Sequence, residues 1–169
     1  STKISMSWCI YNIDFDIVFA CDNGEREIEK TYEEILEETK EMTSDERVSF
    51  VNGLYKLTNK ENFVKKSYFA NNKISNDKWY EDVRFIDGKK YKNSIDLLIG
   101  GSPCQSFSTF GKKKGFEDTR GTLFFHYANL IKEIRPSVFI YENVVGLKTH
   151  NGGNIWKRIQ EVFDELEYN

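Results

Sequence analysis

Two short apolar runs, IDLLIG at 95–100 and SVFIYEN at 137–143, flank a segment whose apolar residues recur at helical spacing, and this order limits the architecture more than any other feature. Short runs of this kind suit strands buried on both faces, as in a parallel sheet. Between them, LFFHYANLIKEI aligns Leu123, Phe124, Tyr127, Leu130, Ile131 and Ile134 on one helical face, with DTRGT leading in and Pro136 as the stop. Together they read as a strand, helix, strand unit. FDIVFA at 15–20 reads as a further buried strand. Ile28, Tyr32, Ile35 and Leu36 mark one more helix, and Ile155, Ile159, Val162, Phe163 and Leu166 mark a last one, which Asn154 would cap. The alternation predicts an α/β fold with a doubly wound, mostly parallel sheet. Residues 43–78 show clusters such as NGLYKLTNKENF without a sustained period, and read as an insertion of loops and short helices within one domain.

No stretch approaches the roughly 18 to 20 apolar residues of a membrane span, and the start STKISMSWCIYNIDFDIVFA lacks the long apolar block of a secretory signal. A cytoplasmic protein without a membrane partner is the expectation. Cys9, Cys21 and Cys104 form no C-x-x-C pair, and His126 and His150 lack metal-ligand spacing, so neither a disulfide framework nor a metal site is expected. The net charge of -3 is unevenly spread: residues 25–46 hold ten acids against three bases, whereas 56–92 hold ten bases against five acids. The basic stretch suits either a polyanion or a mixed-charge solvated surface.

Ligands of open parallel α/β sheets bind beyond the carboxyl ends of the strands, which singles out Asp22, Cys104 and Glu142. A carboxylate at Asp22 can accept from both hydroxyls of a ribose, or it can serve as a turn aspartate before Gly24. Asp82, in YEDVRF, reads as a surface acid among mixed charges. Cys104 follows Pro103 in the turn GGSPCQSFS at 100–108, which suits a nucleophilic thiol better than a small buried hydrophobe. Glu142 is then a proton donor facing the same pocket, or a strand-end carboxylate bonded to loop amides.

GGSPCQSFS at 100–108, DTRGTLFF at 118–125 and YENVVGL at 141–147, in this order and spacing, resemble the DNA cytosine-5 methyltransferases. The likeness extends to FDIVFACDN, YEDVRF and DELEYN, and so to nearly all of the chain outside the insertion. It implies an incomplete Rossmann-like methyltransferase fold that uses S-adenosylmethionine and acts on double-stranded DNA. It further implies that Cys104 adds to carbon 6 of a flipped cytosine, that Glu142 holds or protonates ring nitrogen 3, and that carbon 5 is thereby activated to take the methyl group. Asp22 would bind the cofactor ribose and Asp82 the adenine amino group, while Pro103 and Leu123 would line the cofactor pocket. Gln105, Ser106 and Ser108 would shape the loop closing over the base, with Asn143 as a further substrate-binding residue.

The family's glycine-rich first loop has no counterpart before STKISMSW, and its glutamine-arginine motif, target-recognition region and last helix have none after Asn169. The expectation is therefore a partial catalytic domain over 1–169, either a truncated product or one piece of a split enzyme whose second polypeptide supplies recognition. Two other functions fit: a transfer RNA cytosine-5 methyltransferase, disfavoured because SPC stands where those relatives carry a proline pair, and a non-catalytic fragment.

Overall fold

The computed structural model describes residues 15–103 and 122–168. The chain divides into two units, Ser1–Ile86 and Asp87–Asn169.

In the first unit, strand β1 (Ala20–Cys21) pairs in parallel with β2 (Trp79–Tyr80), Ala20 opposite Trp79 and Cys21 opposite Tyr80. The six-residue strand expected at 15–20 is thus reduced to its last residue and the next. Between the strands run α1 (Tyr32–Glu38), α2 (Ser44–Lys56) and α3 (Phe63–Asn71). The Thr31 and Thr43 hydroxyls accept from the amides of Glu34 and Glu46, whose carboxylates bond back, so each of the first two helices starts on a reciprocal cap. Ile35, Val51, Tyr55 and Phe85 form the core, with Ile28, Tyr32, Leu36, Phe50 and Leu54 packed around it. The segment expected as loops and short helices is mostly regular helix. Val51 and Tyr55 lie one turn apart on α2 and face this core.

In the second unit, β3 (Leu97–Gly100) and β4 (Val138–Tyr141) pair in parallel, from Leu97 opposite Val138 to Gly100 opposite Tyr141. The helix expected between them is α4 (Leu123–Ile134), with Phe124, Tyr127, Ala128, Leu130, Ile131 and Ile134 all buried. Thr122 caps its start by accepting from the Phe125 amide at 3.0 Å. Arg135 ends it in the left-handed region, at φ 55°. Its guanidinium donates to the Leu166 carbonyl at 2.7 Å and stacks on Tyr168, whose hydroxyl donates to the Pro136 carbonyl at 2.7 Å. This joins the turn after α4 to the end of α5 (Asn154–Glu165). Asn154 is the first residue of α5 rather than its cap; Gly153, at φ 83°, holds that position without a side-chain bond.

Phe124, Phe139, Tyr141 and Phe163 stack edge-on or tilted, with ring centroids 4.7 to 5.6 Å apart, and join helices to sheet. On β4, Val138 and Ile140 remain 54% and 37% exposed, whereas burial on both faces was expected. Only the side carrying Phe139 and Tyr141 packs against the aromatic cluster. Among the described residues β3 and β4 form one two-stranded sheet and β1 and β2 another, so the structure is α/β with small parallel sheets.

Candidate active site

The sequence-derived site residues fall into two groups, one in each unit. In the second unit, Glu142 continues the β3–β4 ladder, its amide donating to the Gly100 carbonyl at 2.8 Å. The two glycines before the Ser-Pro turn are dictated by proximity. A Cβ at Gly100 would meet the Tyr127 ring at 2.5 Å, and one at Gly101 would come nearer to the Glu142 carbonyl oxygen than the 3.0 Å that Cβ atoms keep. The Glu142 carboxylate lies beside the same point, its Oε2 3.3 Å from that Cβ position. The chain just past β3 therefore runs directly against Glu142 at Gly101, three residues before Cys104 in sequence.

Asn143 fixes the outgoing turn. Its Nδ2 donates to the Ser102 carbonyl at 2.7 Å and to the Tyr141 hydroxyl at 3.0 Å. The Ser102 and Tyr141 hydroxyls share a further bond of 2.8 Å. Asn143 thus holds the turn at Ser102, two residues before Cys104 in sequence, a role its position next to Glu142 did not reveal. Pro103 is exposed, and Leu123 is half-buried in the first turn of α4. Cys104, Gln105, Ser106 and Ser108 lie outside the described residues.

In the first unit the ends of β1 and β2 bring two acidic turns together. The Asp22 amide donates to the Tyr80 carbonyl at 3.2 Å, and its Oδ1 accepts from the Gly24 amide at 2.6 Å. This is the turn geometry considered for Asp22. Burial pushes the half-buried Asp22 carboxyl above its usual range, against the pull of the Gly24 bond. One amide leaves most of a carboxylate's capacity of about four hydrogen bonds unused. Asp22 therefore fits the two hydroxyls of a ribose.

Asp82 is buried, at 7% exposure, rather than a surface acid. Its oxygens accept from the Arg84 amide at 3.0 Å, from the Arg84 guanidinium at 2.6 to 3.0 Å and from the Tyr55 hydroxyl at 2.9 Å. The bidentate arginine and the phenol make burial of the charge tolerable. They also occupy the oxygens that an adenine amino group would need.

Glu81, unremarked in sequence, is held just as firmly. It pairs with Arg26, and accepts from Lys65 Nζ at 3.0 Å and Asn62 Nδ2 at 3.2 Å. Desolvation pushes its carboxyl up, but the Lys65 bond and the charges of Lys65 and Arg26 outweigh it and hold the group below the usual carboxylate range. Burial, then Asp82, Asp22 and Glu81, raise the Cys21 thiol well above an ordinary cysteine, which leaves it a poor nucleophile. Among the described residues no cluster of His, Cys, Asp or Glu is arranged for a metal ion, and no helix is long and apolar enough to cross a membrane.

A family model for C-5 cytosine-specific DNA methylases matches residues 46–169. The orphan methyltransferase M.SPRI of Bacillus phage SPR is 47% identical over 108 residues, covering 64% of this chain and 24% of that protein. The type II methyltransferase M1.ScrFI of Lactococcus lactis subsp. cremoris is 48% identical over 108 residues, 64% of this chain and 27% of its own. The type II methyltransferase M.HpaII of Haemophilus parainfluenzae is 44% identical over 103 residues, 60% and 28%. The chain spans about a quarter of the length of the curated relatives it matches.

Proposed function

The chain belongs to the C-5 cytosine-specific DNA methylase family, and from that premise we propose that it supplies the catalytic cysteine and its acid partner for methylation of carbon 5 of cytosine in DNA. The observation that carries this reading is the crossing of Gly101 against Glu142, with Asn143 bonded to the Ser102 carbonyl. It starts the loop leading to Cys104 at the edge of a carboxyl group.

Carbon 5 of cytosine is a weak nucleophile. The Cys104 thiolate adds to carbon 6, while Glu142 donates a hydrogen bond or proton to ring nitrogen 3 and takes up the electron density that the addition pushes into the ring. Carbon 5 is then electron-rich enough to form a bond to an electrophilic methyl group. A base, water in the simplest case, then takes the carbon 5 proton. The electron pair left behind restores the carbon 5–carbon 6 double bond and expels Cys104 as thiolate, and the nitrogen 3 proton returns to Glu142. S-adenosylmethionine, when bound, supplies that methyl group as a sulfonium. Asp22 would hold the ribose by accepting hydrogen bonds from its hydroxyls. Asp82 reaches an adenine amino group only by giving up one of its bonds to Arg84 or Tyr55. The base must leave the DNA stack to reach the cysteine, which costs a few kcal/mol and calls for contacts to the DNA backbone. The relatives named as type II and orphan methyltransferases support a role in restriction-modification or phage DNA protection.

The test is transfer of labelled methyl from S-adenosylmethionine to duplex DNA and, separately, to transfer RNA, by the chain and by Cys104→Ser, alone and with the polypeptide encoded downstream. Label on DNA that vanishes in the variant is expected. Label on transfer RNA alone, or label retained by the variant, overturns the reading.

A further inference from the structure

The segment that sequence left without a role reaches into the acidic turns through one side chain. Asn62, the residue before α3, is 6% exposed. Its Oδ1 caps the helix by accepting from the Lys65 amide at 2.9 Å. That leaves the amide nitrogen, which donates to the Asp22 carbonyl at 2.8 Å and to Glu81 Oε2 at 3.2 Å. The Asn62 side chain lies so close to Gly24 that a Cβ there would stand 2.6 Å from Oδ1. The turn it touches is held elsewhere as well: Arg26 Nε donates to the Asn23 carbonyl at 2.7 Å, and Arg26 Nη1 to the Tyr55 carbonyl at 3.0 Å. A helix cap requires only the asparagine oxygen. Here the nitrogen is used too, on the backbone of the residue whose carboxylate fits the ribose.

We propose that Asn62 is a positioning residue for Asp22, through which the α2–α3 segment sets the affinity of the chain for the ribose hydroxyls of its nucleoside cofactor. This rests on the reading of Asp22 as the ribose acceptor. Without the Asn62 amide, the Asp22 peptide can rotate, and the carboxylate beyond it loses its fixed direction. The binding of hydroxyls suffers, while contacts to the rest of the ligand do not.

Dissociation constants for S-adenosylhomocysteine and its 2′-deoxy analogue, measured by equilibrium dialysis, separate this role from general support of the fold. Wild type prefers the ribose form. Asn62→Ala weakens S-adenosylhomocysteine about tenfold, the analogue at most about twofold, and adds nothing in an Asp22→Asn background. Asn62→Ser retains a capping oxygen but is too short to reach Asp22, so it gives the same pattern if the alanine variant does not fold. Equal weakening of both ligands, or no change, overturns the proposal while leaving the ribose reading intact. Wild type that binds neither ligand, or both alike, refutes the ribose reading itself, and the role of Asn62 falls with it.

Discussion

Replacing Gly101 by alanine adds a methyl group just beyond the last paired residues of β3 and β4, against the Glu142 backbone. The new Cβ would lie nearer than 3.0 Å to the Glu142 carbonyl oxygen, and 3.3 Å from the carboxylate of the same residue. The obstacle is backbone rather than the end of a flexible side chain, so the strand ends must part. Overpacking of this kind costs about 1–3 kcal/mol. Gly101 does not have a positive φ, so alanine recovers about 0.4–1 kcal/mol by restricting the unfolded chain. The net expectation is a loss of about 1–2 kcal/mol. Gly53, inside α2, provides the opposite case. A Cβ there meets nothing within 4 Å, and alanine should stabilise by about 0.5–1 kcal/mol. Urea denaturation followed by far-ultraviolet circular dichroism measures both. If Gly101→Ala is as stable as wild type, the crossing at Glu142 is looser than described, and the argument that the glycine exists for close approach fails.

Tyr55→Phe deletes a buried bond to a carboxylate and should cost about 1.5–3 kcal/mol at neutral pH. Burial and Asp82 push the Tyr55 phenol up to about 12, so its contribution is complete below about pH 10 and lost as pH rises through about 12; a wild-type excess over Tyr55→Phe that does not shrink in that window would contradict the assignment. Glu81 titrates below its usual range, so its stabilisation is present at neutral pH and lost as pH falls below about 4.3. Glu81→Gln should accordingly lower the urea midpoint at pH 7 and flatten its dependence between about pH 5 and 3. Thr122→Ala removes the cap of α4 and should lower stability by about 1 kcal/mol in the same assay.

The elements most legible in the sequence are those whose burial is decided by their own pattern. Helix α4 has six buried apolar residues at helical spacing, and the runs at β3 and β4 are bounded by glycine and proline, so all three could be read directly. The pair at β1 and β2 is only two residues long, so of FDIVFA only Ala20 stands in a described strand, with Phe19 stacked on Tyr80 rather than in the ladder. Helix α2 was obscured by Gly53 and by polar residues around a stripe of only moderate hydrophobicity, although Thr43 followed by Glu46 is a helix-start signal in plain view. Glu142 and Asp22 could be placed because strand ends are where α/β sheets do chemistry. Asn62, Glu81 and the true surroundings of Asp82 could not. Their partners are up to 55 residues away in sequence, and hydrogen bonding between buried polar groups leaves no periodic trace.

The open side of β4 bears on how the chain behaves at high concentration. Val138 and Ile140 present apolar side chains to solvent on a strand that, among the described residues, is paired only with β3. An exposed hydrophobic strand paired on one side can be extended by another strand, including one from an identical molecule, although its four-residue length limits the template. Self-association through β4 would then compete with any productive partner for the same backbone groups. Val138→Lys, which places a charge on that strand well before Glu142, is the change that should keep the chain dispersed while leaving the turn at Gly101 untouched.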